Sequence, residues 1–295
     1  MKTNIGLIAA VMLLSATAFG QITPSSSTTS WTPIQYGAGN IPDPSADQQT
    51  GSSEGDVVGN ISNPSLYTAF DNGGTTGILT DGQLGFRFRV GADKSPAGYK
   101  GAAFVGLDLD ANGSLDVFAG VNNSGSSSLV GLWWAGTGAN ISPSTTTIAG
   151  TPTYSYAETA ANYSWMAVTS LNDPTATTFD IDGGGDTDYF LTFVLPFADL
   201  VTMAATLVPT FNEASVISYV AATATQANSL NQDLNGVTGG VNSTATWTSL
   251  GAMSLPFTAS GGPFTPVPEP SVLAMLSLGV AGLLGFRRRK QARSV

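Results

Sequence analysis

Nine residues, Asp108-Leu109-Asp110-Ala111-Asn112-Gly113-Ser114-Leu115-Asp116, place side-chain oxygens at positions one, three, five and nine, with a glycine at six where the backbone must turn sharply. Seventy-two residues further on, Asp180-Ile181-Asp182-Gly183-Gly184-Gly185-Asp186-Thr187-Asp188 repeats the spacing of the acids and of that glycine. An aromatic follows each stretch at the same offset, Phe118 and Phe190. Ca²⁺ takes six to eight hard oxygens at about 2.3–2.6 Å, and alternate residues of a tight turn converge on one point, so the chemistry expected is calcium coordination. In the first loop the ligands would be side-chain oxygens of Asp108, Asp110, Asn112 and Asp116 with the Ser114 backbone carbonyl. In the second they would be Asp180, Asp182, Asp186 and Asp188. Gly184 at position five leaves that loop one side-chain ligand short, a gap for water or Asp186 to fill.

Three carboxylates so close repel one another without a cation. The competing reading is that Asp, Asn and Gly are turn formers, collected in hairpins for positive φ and side-chain-to-backbone hydrogen bonds. Repetition of the pattern favours the metal. The loops resemble the DxDxDG-type calcium loops of integrin α-subunit blades, thrombospondin repeats and dockerins. They depart from an EF-hand, because position twelve is Ala119 or Leu191 where a bidentate Glu would sit. The residues on both sides of each loop read as strands, which places the loops in β-hairpins.

Between the two ends of the chain only Arg87, Arg89, Lys94 and Lys100 are basic, against nineteen acids, a net charge of about −15. That balance opposes binding to nucleic acid or to an anionic membrane surface and suits cations. With no Cys there is no disulfide, thiolate metal site or cysteine nucleophile, and with no His the common triads and zinc sites are excluded. Carboxylate catalysis survives, and a glycoside hydrolase would need two acids about 5–9.5 Å apart. Yet the acids cluster in the two loops, and Glu158 and Glu213 have no visible partner. The chain reads as non-enzymatic.

Residues 85–90 alternate apolar with basic side chains, as a strand with one buried face should. Residues 102–107, 115–121, 129–134, 164–168, 189–195, 216–221 and 245–250 are further strand candidates, separated by Gly, Asn, Asp and Ser clusters. Helical appeal is confined to 197–203 and a stretch near 213–228. The expected fold is all-β, a β-sandwich of jelly-roll type with calcium-binding hairpin loops, plus a C-terminal transmembrane helix. The sandwich should occupy 41–259. Residues 21–40 would be a Ser/Thr/Pro-rich linker leading into it, and 260–266 a second extended linker. The stretch 41–59, with Asp43, Asp47, Glu54 and Asp56, looks like an acidic surface loop with an edge strand near Val57.

The ends are of another kind. Lys2, an apolar run over 5–14 and Ala16-Thr17-Ala18 make a secretory signal peptide over 1–20, a substrate for signal peptidase. At the other end, Val267-Pro268-Glu269-Pro270 precedes sixteen uncharged residues, 271–286, and then Arg287-Arg288-Arg289-Lys290. A helix of that length spans roughly 24 Å, short against a hydrocarbon core of about 30 Å. The basic end, within 287–295, should stay cytoplasmic and leave everything upstream outside. This three-part tail over 267–295 resembles the PEP-CTERM sorting signal of Gram-negative bacteria. The resemblance implies exosortase as a partner, an inner-membrane intermediate, and a destination at the cell surface or in the extracellular matrix.

Three roles remain open for the exported domain. A structural or adhesive matrix role leads, because nothing in the chain assembles a recognisable pocket. A carbohydrate-binding module is the alternative, since Trp133, Trp134, Tyr154, Tyr156, Tyr163 and Trp165 cluster mid-chain and extracellular polysaccharide is a natural partner for such a row. Against it, adjacent strand positions force one of Trp133 and Trp134 into the interior. A hydrolase has the least support.

Overall fold

The computed structural model describes residues 22–261 apart from 28, 37–42, 50–51, 75–77, 95–97, 126–127, 137, 146–147, 149, 228 and 239–244. The expected signal peptide, the sorting tail and its membrane helix lie outside the described residues. Among the described residues no helix is long and apolar enough to cross a membrane. The chain divides into two units, Met1–Gly262 and Pro263–Val295.

The first unit is built of strands β1 (Thr32–Pro33), β2 (Leu66–Asp71), β3 (Gln83–Val90), β4 (Ala102–Asp108), β5 (Val117–Asn122), β6 (Leu129–Trp134), β7 (Tyr154–Ala157), β8 (Tyr163–Ala167), β9 (Tyr189–Pro196), β10 (Val216–Ala224), β11 (Asp233–Leu234) and β12 (Phe257–Thr258). Among the described residues there is one α-helix, α1 (Phe197–Ala204), which follows β9 directly. A five-stranded sheet has the order β1-β2-β3-β9-β8, and a seven-stranded sheet has the order β11-β10-β4-β5-β6-β7 with β12 added to β10. All pairings are antiparallel. The sandwich therefore stands. A jelly roll builds two Greek keys from eight strands. This chain instead runs mostly as in-sheet meanders, crossing between sheets after β3, β7 and β9.

The period of two in each strand determines the core. Leu84, Phe86, Phe88 and Val90 of β3 and Leu191, Phe193 and Leu195 of β9 pack in one cluster with Val105 and Leu107 of β4, Val117, Ala119 and Val121 of β5, and Ile217 and Tyr219 of β10. Phe86 sits 5.6 Å from both Phe193 and Tyr219, ring centre to ring centre. The α1 helix covers one end, with Phe197, Leu200 and Met203 buried at helical spacing.

The outer faces are covered as well. On the larger sheet Phe104, Phe118, Trp133 and Val220 lie under Leu230, Leu234, Trp247 and Ala252. On the smaller sheet Tyr67 and Phe190 meet Val168 and Trp31, and Ile22 meets Ala69 and Val194. This second layer corrects three expectations. Residues 245–250 form turns, because Trp247 acts as a plug whose indole Nε1 donates to the Ala139 carbonyl at 2.7 Å. The stretch from Ile22, expected to be an extended linker, packs on the sheet, and the Ile22 amide donates to Gln83 Oε1. The residues near 213–228 are chiefly strand β10, since pairing with β4 along seven residues outweighs their helical propensity.

The basic side chains of β3 are buried, not solvated. Arg87 lies between the rings of Trp31 and Phe190, at 4.3 and 4.7 Å, and donates to Thr192 Oγ1 and to the carbonyls of Asn172 and Pro24. Burial lowers it to about 10, which leaves it charged at neutral pH. Arg89 is fully buried and donates from Nε and Nη2 to Asp188 Oδ2 at 2.7 and 2.6 Å. Its Nη1 stands 3.9 Å from Asp173. Removing one partner of a buried pair leaves the other charge uncompensated, so Arg89→Ala should cost about 3–5 kcal/mol. Urea denaturation checks this, and a loss under about 1 kcal/mol would mean the pair is not buried.

Candidate metal centre

The first loop joins β4 to β5 in the larger sheet; the second lies in the long connection from β8 and runs straight into β9 of the smaller one. Only the first is flanked by strands on both sides, because the residues before Asp180 are irregular. The two loops nevertheless share one backbone. Position four is left-handed in both, at Ala111 (φ 59°) and Gly183 (φ 71°), and so is position six, at Gly113 (φ 82°) and Gly185 (φ 88°).

The hydrogen bonds match position by position. The amide at six donates to the carboxylate at one, Gly113 to Asp108 Oδ2 at 2.9 Å and Gly185 to Asp180 Oδ2 at 3.0 Å. The amide at five donates to the carboxylate at three, Asn112 to Asp110 Oδ1 at 3.2 Å and Gly184 to Asp182 Oδ1 at 2.9 Å. The amide at two donates to the carboxylate at nine, Leu109 to Asp116 at 2.8 Å and Ile181 to Asp188 at 3.2 Å. Residue nine then donates its own amide to the carbonyl just before the loop, Leu107 or Phe179, at 2.8 Å in each case. Phe118 and Phe190, at equal offsets, anchor the exits in the outer layers.

These bonds draw the carboxylates together and, Asp188 Oδ2 apart, leave their oxygens lone pairs for a cation. Oxygens of Asp108, Asp110 and Asp116 lie within 4.8 Å of one another, as do those of Asp180, Asp182 and Asp188. Two ligands of one Ca²⁺ sit at most about 5 Å apart, so both trios fit around a single ion. Asn112 Oδ1 accepts from the Ser114 amide at 2.8 Å, which ties positions five and seven together. Asp186 is exposed and outside the second trio, near enough to raise Asp182 electrostatically. At Gly184 a Cβ would stand 3.1 Å from Asp182 Oδ1, so a side chain there would need that carboxylate to shift slightly.

The loops differ in charge as well: Asp188 is already engaged by Arg89. A guanidinium on one of three ligands reduces the charge available to a cation, so the second loop should bind more weakly than the first. Burial, assisted by neighbouring acids, holds Asp108 and Asp116 above the usual carboxylate range. Asp182 is pushed up by burial, while Asp180 is held down by its closeness to the Asp182 carboxyl and by the amide it accepts from Gly185.

A third convergence of acids, Asp47, Asp56 and Asp233, follows no local spacing. It overturns the expectation of an acidic surface loop over 41–59, because Asp43 and Asp56 are each 1% exposed. The Val57 amide donates to Asp233 Oδ2 across 176 residues of sequence, a distance that no motif search bridges. The remaining sequence-derived site residues, Val267, Pro268, Glu269 and Pro270 with Arg287, Arg288, Arg289 and Lys290, lie outside the described residues.

Residues 266–290 match the family model of the PEP-CTERM protein-sorting motif. The match includes the Pro-Glu-Pro segment, the apolar run and the four basic residues, and it supports exosortase processing and export through a membrane-anchored intermediate. No curated protein and no solved structure matches the chain.

Two outcomes test the loops. Asp110 is exposed, so Asp110→Ala should leave the calcium-free protein nearly as stable but abolish the tighter calcium site. The loss is about 2.7 kcal/mol of calcium-dependent stability at a hundredfold excess over Kd, read by calorimetry. The pH dependence should also invert. Raised carboxylates favour the folded state while protonated, and that contribution fades as pH climbs through their folded values. In EGTA the protein should thus melt lower near neutrality than near about pH 5, and millimolar calcium should close the gap.

Proposed function

We propose that this chain, sent outward through its PEP-CTERM signal and processed by exosortase, is a non-catalytic structural or adhesive protein of the cell surface or extracellular polymer matrix. Its acidic sandwich is stiffened there by calcium. The observation that carries the calcium reading is the repeated turn: one nine-residue backbone with matching hydrogen bonds, once on each sheet, each drawing three carboxylates to within 4.8 Å. Signal peptidase would release the N-terminus, and helix 271–286 would hold the intermediate in the inner membrane until processing. The metal supplies charge neutralisation and pins the turn; the chain supplies the oxygens. Binding to the folded state alone stabilises it.

Both halves can be tested. Replacing Pro268, Glu269 and Pro270 with alanine should trap the chain in the inner membrane with its basic end attached, as seen by fractionation and C-terminal mass spectrometry. Release at the normal rate would refute sorting through this signal. Limited proteolysis in EGTA should cut within 108–116 first, and calcium should suppress the cut; an unchanged pattern would refute a stiffening role.

One observation favours a second reading, glycan binding. Trp165, Met166, Leu171 and Tyr189 line a groove of about 710 Å³ with Asp93 and Asn172 on its wall. Trp165 also packs against Tyr99 and Tyr189 and donates to Asp93, so it has a structural occupation already. Trp133 is a core residue, and Trp134, 42% exposed, is the open ring of that pair. Affinity electrophoresis on matrix polysaccharides decides this, and the absence of retardation on all of them would remove the glycan reading.

A further inference from the structure

The segment before β2 and the hairpin end formed by β10 and β11 are stitched together around carboxylates. The Val57 amide donates to Asp233 Oδ2 at 2.6 Å, the Gly236 amide to Asp43 Oδ1, and the Gln49 amide to the Gln232 carbonyl at 2.8 Å. Within the seam the Ala46 amide donates to Asp56 Oδ2 at 2.8 Å. Each of the three buried acids, Asp43, Asp56 and Asp233, thus has one oxygen held by a main-chain amide. The other oxygen of two of them is stranded: Asp43 Oδ2 and Asp56 Oδ1 are buried with no hydrogen-bond partner, and so is Gln48 Oε1.

A stranded buried carboxylate oxygen is costly, upward of about 1–3 kcal/mol, and such groups in folded proteins mark a missing ion or water. Nothing basic in the domain relieves this one. Arg89 is committed to Asp188, Arg87 to Trp31, Phe190 and three oxygens, and Lys94 and Lys100 act on Glu54. The charges that bear most on Asp43 are Asp233, Asp47 and Asp56, and those on Asp56 are Asp47 and Asp182. All are carboxylates. Oxygens of Asp47, Asp56 and Asp233 lie within 4.8 Å of one another, the span of ligands on one calcium ion.

We propose that Asp47, Asp56 and Asp233, with Asp43 bordering them, form a third divalent-cation site, buried in this seam and distinct from both loops. Its ligands are hard carboxylate oxygens, a kind suited to calcium before magnesium, which keeps more of its water. Because the ligands come from segments separated by 176 residues, the ion would clamp the N-terminal segment to the edge of the larger sheet. The loops pin turns; this site would join remote parts of the chain.

The test uses the full chain with both loops disabled by Asp110→Ala and Asp180→Ala, the second chosen because Asp182 stands beside Asp56. Equilibrium dialysis against radioactive calcium should still find one ion bound per chain. Adding Asp56→Asn, which keeps the size and the amide contact of that side chain, should weaken this binding at least tenfold. Asp47→Asn, at a half-exposed position, should weaken it too and serves if Asp56→Asn fails to fold. With calcium removed, Asp56→Asn should raise the melting temperature, since a repelling charge is gone. No residual ion in the loop-disabled protein, or an ion insensitive to both Asn substitutions, would overturn the site. The loop reading is judged separately, by the ions lost between wild type and the loop-disabled variant.

Discussion

Charge neutralisation is the constraint on which the rest of this structure depends. Nineteen carboxylates and four basic side chains share the chain between its terminal segments. Both arginines are spent inside, Arg89 on Asp188 and Arg87 beneath Trp31, while the lysines attend Glu54. Among the described residues, three groups of acids therefore converge with at most one arginine among them. Like charges at such range repel by several kcal/mol unless a proton or a metal ion sits between them. A fold of this kind suits a compartment where divalent cations are plentiful, the destination to which a sorting signal at 266–290 points.

Burial on both faces of both sheets gives that constraint its force. A sandwich with one wet face per sheet would leave β3's arginines and the 41–59 acids in water, where charges interact weakly. Here turns and loops roof each outer face, with Trp247 as the plug on one side and Trp31 with Val168 over Phe190 on the other. The aromatics that follow the two loops lie beneath those roofs. The rigid layer below thus sets where each acidic turn begins and ends, and matched hydrogen bonds arise on two different sheets.

What could be read from the residues was what is local. Alternate oxygens with a glycine at six foretold a turn whose carboxylates converge, and period-two patterns located the main strands. The left-handed turn at Ala111 was hidden, because alanine gives no hint of a positive φ that Gly183 announces openly. The fate of Arg87 and Arg89 was hidden because alternation shows which side chains share a face, not whether that face is roofed. The Asp43, Asp56 and Asp233 grouping was hidden because its members meet only after the sheet has brought distant segments together. The strand expected at 245–250 failed for the same reason: a tryptophan in an apolar run reads alike whether it lies in a ladder or caps one.

Arg87 carries a further consequence. It secures the N-terminal stretch without any carboxylate, through the faces of two rings, a threonine hydroxyl and two carbonyls. Exposed ion pairs weaken once mobile ions crowd in, with a screening length of about 8 Å in physiological salt. A desolvated cation lodged against aromatic faces and backbone oxygens is largely spared that screening. The clasp at the front of this domain should therefore hold in brine, or in a gel of charged polymer, where a clasp made of surface lysines and aspartates would let go.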